Sequence, residues 1–391
     1  MRFLVLGGAG AMGRRAVREL ATTYGVTLVT IAGRNTAAAG EVRALVEAAQ
    51  AAAGLPESRR AEVRTAALDI RDHQATVRLM AEHDVTLGAA GPFYLLEEPL
   101  VRAAIAARRP YVSICDDGDA VQKILPLDAE ARDAGVAILT GLGWTPGLTN
   151  LAARQLADQL DQVDRIHIAW AGTAANSDGR ATTLHSMHMF SGKVVTHAGG
   201  RQQWVPAGSG TQRVRFPDPI GPLTVHHVGH PETITLPRFL PGLEEVWLKG
   251  GLGERLLDVL AVAMGRLGLT GTHRRREALA AIIDPLLPLL VRLSPPPHPL
   301  SAFVVEVQGR REGGAASLAA GAVGHMADLT AVPLAQGALW LASGRVRRTG
   351  VFAPEAEGGL DAPAFLAELA GRGIQVAPLG PPIMGNGRSR A

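Results

Sequence analysis

The residues best placed to do chemistry come first in the chain. Gly7-Gly8-Ala9-Gly10-Ala11-Met12-Gly13 follows the apolar run Phe3-Leu4-Val5-Leu6 and precedes a helix-favouring stretch, so Gly8, Gly10 and Gly13 meet the G-x-G-x-x-G spacing in a strand-to-helix setting. Gly8 is expected to make the tight turn, Gly10 to let the main chain approach a pyrophosphate, and Gly13 to let helix and strand pack closely. The helix N-terminus would hold the anion through its free N–H groups and its dipole. Gly8, Ala9, Gly10, Ala11, Met12 and Gly13 are therefore expected to bind a dinucleotide. An acid ending the next apolar run would accept bonds from both ribose hydroxyls of NAD, but the chain there reads Thr30-Ile31-Ala32-Gly33-Arg34-Asn35-Thr36. Arg34 with Asn35 can receive a 2′-phosphate instead, which makes NADP the expected cofactor.

Histidines form the next group. His226, His227 and His230 lie close to Glu232. In an extended segment His226 and His230 would share a face while His227 points away, a poor arrangement for a metal, and none is expected. His230 is a candidate for lining the substrate site and donating a proton; so is His185, which a helix would set on the same side as His188. Lys193 lacks the spacing of a P-loop, and Ser209 lacks the first glycine of G-x-S-x-G, so neither an ATPase nor a serine hydrolase is indicated. Cys115 is the only cysteine, which excludes an internal disulfide and suits a reducing cytoplasm.

These groups need a scaffold. With 391 residues, 47% hydrophobic and 19% charged, the chain is long enough for two domains at roughly 100–200 residues each. The net charge is only +3 and the longest basic cluster, Arg274 to Arg276, reads as a solvated helix face, so no nucleic-acid partner is expected. From residue 2 to about 140, the apolar runs Phe3–Leu6, Val26–Ile31, Val63–Leu68, Val85–Ala89, Tyr111–Ile114 and Val136–Leu139 alternate with helical stretches. That rhythm predicts an α/β fold with a Rossmann-type doubly wound parallel sheet of about six strands.

After Gly141 the pattern changes to a second, α+β domain. Leu148–Leu160 reads as a helix opened by Pro146-Gly147 with Thr149 as a candidate cap, and Val163–Trp170 as an alternating strand. Gly199–Thr235 reads as antiparallel, and Arg311-Glu312-Gly313-Gly314 as the turn of a hairpin. Helices are expected over Glu254–Leu267, Arg274–Leu293, Met326–Ser343 and Ala362–Gly371. The greasiest stretch, Ala278–Leu293, holds Asp284, Pro285, Pro288 and Arg292, so it reads as a broken, buried helix pair and not as a membrane span. The first residues read as part of the fold, since Gly7 and Gly8 interrupt the apolar run too early for a signal peptide. The expected division is a cofactor domain over 1–145, with about 326–345 packing back on it, a substrate and dimerisation domain over 146–325, and a loose tail over 380–391.

Several segments resemble the saccharopine dehydrogenase-like oxidoreductases. They are Val5 to Gly13, Ile31-Ala32-Gly33-Arg34-Asn35, Leu68-Asp69-Ile70-Arg71-Asp72, Ala90-Gly91-Pro92-Phe93-Tyr94, Tyr111 to Asp117, Thr145 to Asn150, and Gly350 to Glu355 with Asp361, Phe365 and Leu369. The resemblance spans nearly the whole chain and is strongest up to residue 150. It implies a Rossmann domain followed by an α/β substrate domain, with later segments returning to the first and a cleft between them. By the same resemblance Asp69 would touch the adenine, and Ala90, Gly91 and Pro92, with Phe93 and Tyr94, would border the nicotinamide ribose. Asp116 and Asp117 would stand at the carboxyl edge of the sheet, where ligands bind. Helix capping or a turn is the other reading of Asp69 and of the aspartate pair. Saccharopine-forming members carry an Asp-His pair where this chain has Thr149-Asn150.

The combined expectation is an NADPH-dependent oxidoreductase of a C=N bond in an imine or amino-acid-like small molecule, a cytoplasmic homodimer. Asp117 and Asp116 would be the leading catalytic groups, with His230, His185 and Tyr94 behind them. The alternatives are a reductase of an activated C=C or C=O bond and a non-catalytic NADP-binding sensor.

Overall fold

The computed structural model describes residues 1–176 and 179–380. It divides into two compact units, Met1–Gly147 with Ala327–Leu360, and Leu148–Met326 with the chain from Asp361 onward. The expected tail beyond residue 380 lies outside the described residues.

In the first unit the strands β1 (Arg2–Leu6), β2 (Leu28–Gly33), β3 (Glu62–Ala67), β4 (Val85–Gly88), β5 (Tyr111–Ser113) and β6 (Ala137–Leu139) alternate with helices. The helices are α1 (Ala11–Ala21), α2 (Thr36–Ala52), α3 (His73–Ala81), α4 (Phe93–Ala107), α5 (Gly118–Ile124) and α6 (Asp128–Asp133). Phe3 to Leu6 have no exposed surface, as continuous apolar runs in a sheet covered on both faces require. The sheet is parallel in the order β15-β6-β5-β4-β1-β2-β3, so the six expected strands are joined by a seventh, β15 (Gly350–Phe352). Three residues carry too little pattern to be read as a strand. What fixes them is distant in sequence: Val351 donates its N–H to Asp128 Oδ1 at 2.9 Å, and a Cβ on Gly350 would sit 2.2 Å from that same oxygen. Ahead of β15, the helix α12 (Met326–Ala342) is buried from Leu329 to Leu341, and Gly337 lets Leu142 approach it.

The strand order reverses between β1 and β4, which makes their carboxyl ends the switch point where a doubly wound sheet opens a crevice. Gly7 leaves β1 and Ala89 leaves β4 at this point. A Cβ on Gly7 would lie 2.6 Å from the Ala89 carbonyl oxygen, so the two strand ends approach backbone to backbone.

The second unit is built on a mixed sheet. Its strands are β7 (Gln162–Gly172), β8 (Lys193–Ala198), β9 (Arg201–Pro206), β10 (Gln212–Arg215), β11 (Pro222–His227), β12 (Glu245–Leu252), β13 (Ser301–Arg311), β14 (Gly314–Gly324) and β16 (Ala377–Leu379). The main path runs β10-β11-β12-β7-β13-β14-β16; β7 and β12 are parallel and the other neighbours antiparallel, with β8 and β9 paired off β12. The expected hairpin is present: Arg311 pairs with Gly314, and Glu312 and Gly313 between them both have positive φ, as a two-residue primed turn demands.

Its helices are α7 (Leu148–Ala157), α8 (Arg180–Met189), α9 (Glu232–Phe239), α10 (Arg255–Arg266), α11 (His273–Leu293) and α13 (Ala362–Ala370). Two expectations are corrected here. Thr149 is not a cap, because α7 already begins at Leu148 and Thr149 is buried within its first turn. The Ala278–Leu293 stretch is neither broken nor buried: α11 runs through Pro285 and Pro288 and exposes Ile282, Leu286, Leu289 and Leu293. Both prolines are exposed, and their missing N–H groups leave the carbonyls of Ala281 and Asp284 unbonded along the helix rather than blocking it. Among the described residues no helix is long and apolar enough to cross a membrane.

Candidate functional site

In the first unit the β1–α1 turn forms a backbone cradle. The left-handed residue is Gly7, at φ 77°, and not Gly8, so the tight turn begins one position earlier than the motif spacing suggests. Gly8 has a different constraint, since a Cβ there would press on Ile31 and Val17 side chains at 3.0 and 3.2 Å. Gly13 does what was expected of it: a Cβ would lie 2.2 Å from the Gly7 carbonyl oxygen, so only glycine lets α1 close on the strand end. Around Gly10 a Cβ would meet only the Gly7 oxygen, at 3.2 Å. Gly10 is exposed and sits at the N-cap of α1, where no side chain caps the helix and no acid occupies the first turn. The N–H groups of Ala11, Met12 and Gly13 thus begin a helix whose positive end is open to an anion.

At the end of β2, Arg34 is exposed and Asn35 is the N-cap of α2, its Oδ1 accepting the N–H of Ala38 at 3.0 Å. Asp69 follows β3 and is bound by the Arg71 guanidinium at 2.6 and 2.9 Å, which holds its carboxyl down at about 2; the charge of Arg34 adds to this. Asp69 therefore stays ionised beside two arginines. After β4, Ala90, Gly91 and Pro92 are partly exposed and lead into α4, with Pro92 as its N-cap.

Asp116 and Asp117 follow β5 at the same carboxyl edge. Asp117 is fully buried, and its Oδ2 accepts the main-chain N–H of Tyr94 at 2.9 Å, so it closes the N-terminus of α4 although it sits at the N-cap of α5. Asp116 is only partly buried. Tyr94 is buried, and its carbonyl accepts from Lys123 Nζ at 3.4 Å.

Reasoning from sequence missed Glu97. It lies on the buried stripe of α4 formed by Phe93, Tyr94, Leu100, Val101 and Ala104, and that helical spacing was the available signal. Three hydroxyls donate to its carboxyl group: Tyr111 at 2.9 Å, Ser113 at 2.5 Å and Thr140 at 3.3 Å. Burial pushes it up to about 7 against these bonds, and the nearby Asp116 charge adds to the rise.

In the second unit, His230 lies beyond the end of β11 at His227, so it does not share a strand face with His226 as an extended segment would require. The chain turns at Pro231 into α9, which also makes residues 232–235 helical instead of extended. His226 has both ring nitrogens engaged, with Thr211 and Asp258 at 3.1 Å each. His227 faces Lys249 across the β11–β12 ladder; burial, then the lysine charge, lowers it to about 4. His230 Nδ1 stands 3.5 Å from Glu232 Oε2, and its ring lies edge-on to His185 on α8 with centroids 5.4 Å apart. Thr149 donates to Glu232 Oε1 at 2.9 Å, and Asn150 Nδ2 donates to Thr235 at 3.4 Å. Thr149 and Asn150 are thus bound to α9, at the two ends of its first turn.

Residues 3–139 match the family described as "Saccharopine dehydrogenase NADP binding domain". This segment is an NADP-binding domain of that family. Over its whole length the chain is also similar to carboxyaminopropylagmatine dehydrogenase of Synechocystis sp., with 23% identity over 402 aligned residues, covering 96% of each protein. Among solved structures it is similar to the apo saccharopine dehydrogenase (L-Glu forming) of Saccharomyces cerevisiae, at 14% identity, a TM-score of 0.64, and coverage of 97% of this chain and 99% of that one. The saccharopine dehydrogenase-like resemblance, the oxidoreductase class and the NADP cofactor read from the sequence stand with these findings. The cradle of the NADP-binding domain suits such a dinucleotide on its own terms: an uncapped helix start, open space over Gly10, and an arginine in place of an acid after β2.

Proposed function

We propose that this protein catalyses the NADPH-dependent reduction of a C=N bond in an imine or amino-acid-like small molecule, or the reverse oxidation with NADP as acceptor. Gly8, Ala9, Gly10, Ala11, Met12 and Gly13 would hold the pyrophosphate, Arg34 and Asn35 the 2′-phosphate, Asp69 the adenosine side, and Ala90, Gly91 and Pro92 the nicotinamide ribose. The cofactor supplies hydride when bound. One observation carries the substrate reading: a partly buried carboxylate, Asp116, precedes a fully buried one, Asp117, at the same sheet edge as the phosphate turn. Negative charge at that edge stabilises a protonated imine, whose nitrogen needs little further protonation once its carbon is reduced. Asp117 anchors α4 and so fixes the segment Gly91 to Tyr94, while Asp116 holds the cationic nitrogen or exchanges a proton with it. That a whole-length relative is named for a carboxyaminopropyl compound supports an amine-bearing substrate.

A second reading has its own observation. His230 beside Glu232 is a histidine next to a carboxylate, and such a pair can donate a proton to the anion formed when C=O or C=C is reduced. NADPH oxidation assayed against amine plus oxo-acid pairs, ketones and enoyl compounds separates the readings. Turnover confined to the amine plus oxo-acid pairs supports imine reduction; turnover confined to ketones or enoyl compounds overturns it, and no turnover with intact NADPH binding supports a sensor. A cytoplasmic homodimer remains part of the proposal, supported by the single buried Cys115 and by the exposed apolar stripe on α11, and light scattering tests the dimer.

A further inference from the structure

A cavity of about 310 Å³ lies within the second unit among α8, α10 and α11, and none of the candidate cofactor or proton-transfer residues lines it. None of its lining residues is charged. Two of the few hydroxyls are already committed, Thr183 to Asp284 at 2.7 Å and Thr270 to Ser191 at 3.0 Å. Its polar demand is therefore largely met, and a ligand would meet chiefly leucine, isoleucine, alanine and methionine carbon.

The cavity also has a shape that follows from the helices. Its walls run from Leu257 to Met264 on α10 and from Ile283 to Leu290 on α11, seven positions in each case, or about 10 Å at 1.5 Å per residue. These walls leave room for an elongated apolar ligand, whether chain or ring. By volume it holds roughly eight to ten methylene-sized groups at ~30 Å³ each.

We propose that this slot binds an uncharged, apolar ligand of about eight to ten carbon-sized groups. The site stands independently of the imine reading, because its walls contain no residue of the cofactor or proton-transfer groups. Each buried methylene strengthens binding about fourfold until the slot is full.

The test uses the full-length protein and titration calorimetry with primary n-alcohols from 1-butanol to 1-dodecanol. Affinity is expected to rise about fourfold per carbon and then level off near eight to ten carbons. Ala261→Phe, which fills the slot from α10, should weaken 1-octanol binding at least tenfold, while Leu289→Ser on the exposed face of α11 should leave it unchanged. Leu257→Ala should lengthen the chain at which affinity levels off, which tests the slot even if the filled variant folds poorly. Far-UV circular dichroism and the thermal unfolding midpoint report that each variant is folded. No binding, an unbroken rise through 1-dodecanol, loss of binding in Leu289→Ser, or no change of optimum in Leu257→Ala would each overturn the proposal.

Discussion

Asp117 Oδ2 accepts the main-chain N–H of Tyr94 at 2.9 Å, so a carboxylate that follows β5 caps the helix that follows β4. The two duties of this side chain can be separated. Asparagine keeps an oxygen for the cap but loses the charge, whereas alanine loses both. Asp117→Ala should cost about 1 kcal/mol of stability, the usual worth of a cap, and Asp117→Asn much less. Asp117→Asn and Asp116→Asn should each lower turnover at least about tenfold, with NADPH affinity held within about twofold. Stopped-flow hydride transfer and thermal unfolding check both parts; wild-type rates in both variants would make the pair structural.

Arg34→Ala should weaken NADPH by roughly one to two decades and leave NADH nearly unchanged, because a charge-assisted contact to a phosphate is worth about 1.5–3 kcal/mol. Asn35→Ala acts differently: it removes the α2 cap and should lower stability by about 1 kcal/mol before it affects the cofactor. Fluorescence titration with both nucleotides distinguishes these outcomes, and equal losses for NADPH and NADH in Arg34→Ala would contradict the assignment.

Two glycines of one motif should fail in different ways. Gly13→Ala forces a Cβ to within 2.2 Å of the Gly7 oxygen, a backbone atom that cannot step aside, so the first unit should lose stability. Gly10→Val meets little of the protein and should keep the fold while blocking the pyrophosphate. Circular dichroism beside NADPH titration reads both, and wild-type affinity in Gly10→Val would move the phosphate site elsewhere.

Glu97 gives a pH signature. Its carboxyl sits at about 7 in the folded chain, above the ordinary 4.5, so the folded state holds a proton that the unfolded state has released between those values. The stabilisation is complete below about 4.5 and is lost as pH rises through about 7, by at most about 3 kcal/mol. Glu97→Gln should flatten this slope, measured as urea midpoints from pH 4.5 to 8; an unchanged slope would mean that Glu97 is ionised throughout.

The legible parts of the chain were those where one local pattern sufficed. Most of the strands β1 to β6 are short apolar runs, the edge strand β3 with its exposed Glu62 and Arg64 being the exception, and the phosphate turn is a fixed spacing, so these could be read without knowing what packs on them. Gly7 was passed over because motif spacing marks which glycines recur and not which one adopts positive φ. Glu97 was missed because a charge on a helix reads as solvated until Tyr111, Ser113 and Thr140 are seen to converge on it. Likewise α11 was read as broken because two prolines were counted as breaks, while its register places both on an exposed face.

The pairing of β15 with β6 bears on how the molecule is made. Gly350 to Phe352 complete a sheet whose other strands all precede residue 140. During synthesis the edge of β6 leaves the ribosome about two hundred residues ahead of its partner, a delay of roughly ten to forty seconds at ~5–20 residues per second. For that interval the nascent chain carries an unpaired strand able to capture another extended segment. Chains halted before residue 350 keep that edge permanently, so premature termination late in the message yields aggregation-prone fragments even though every residue of the phosphate turn is present.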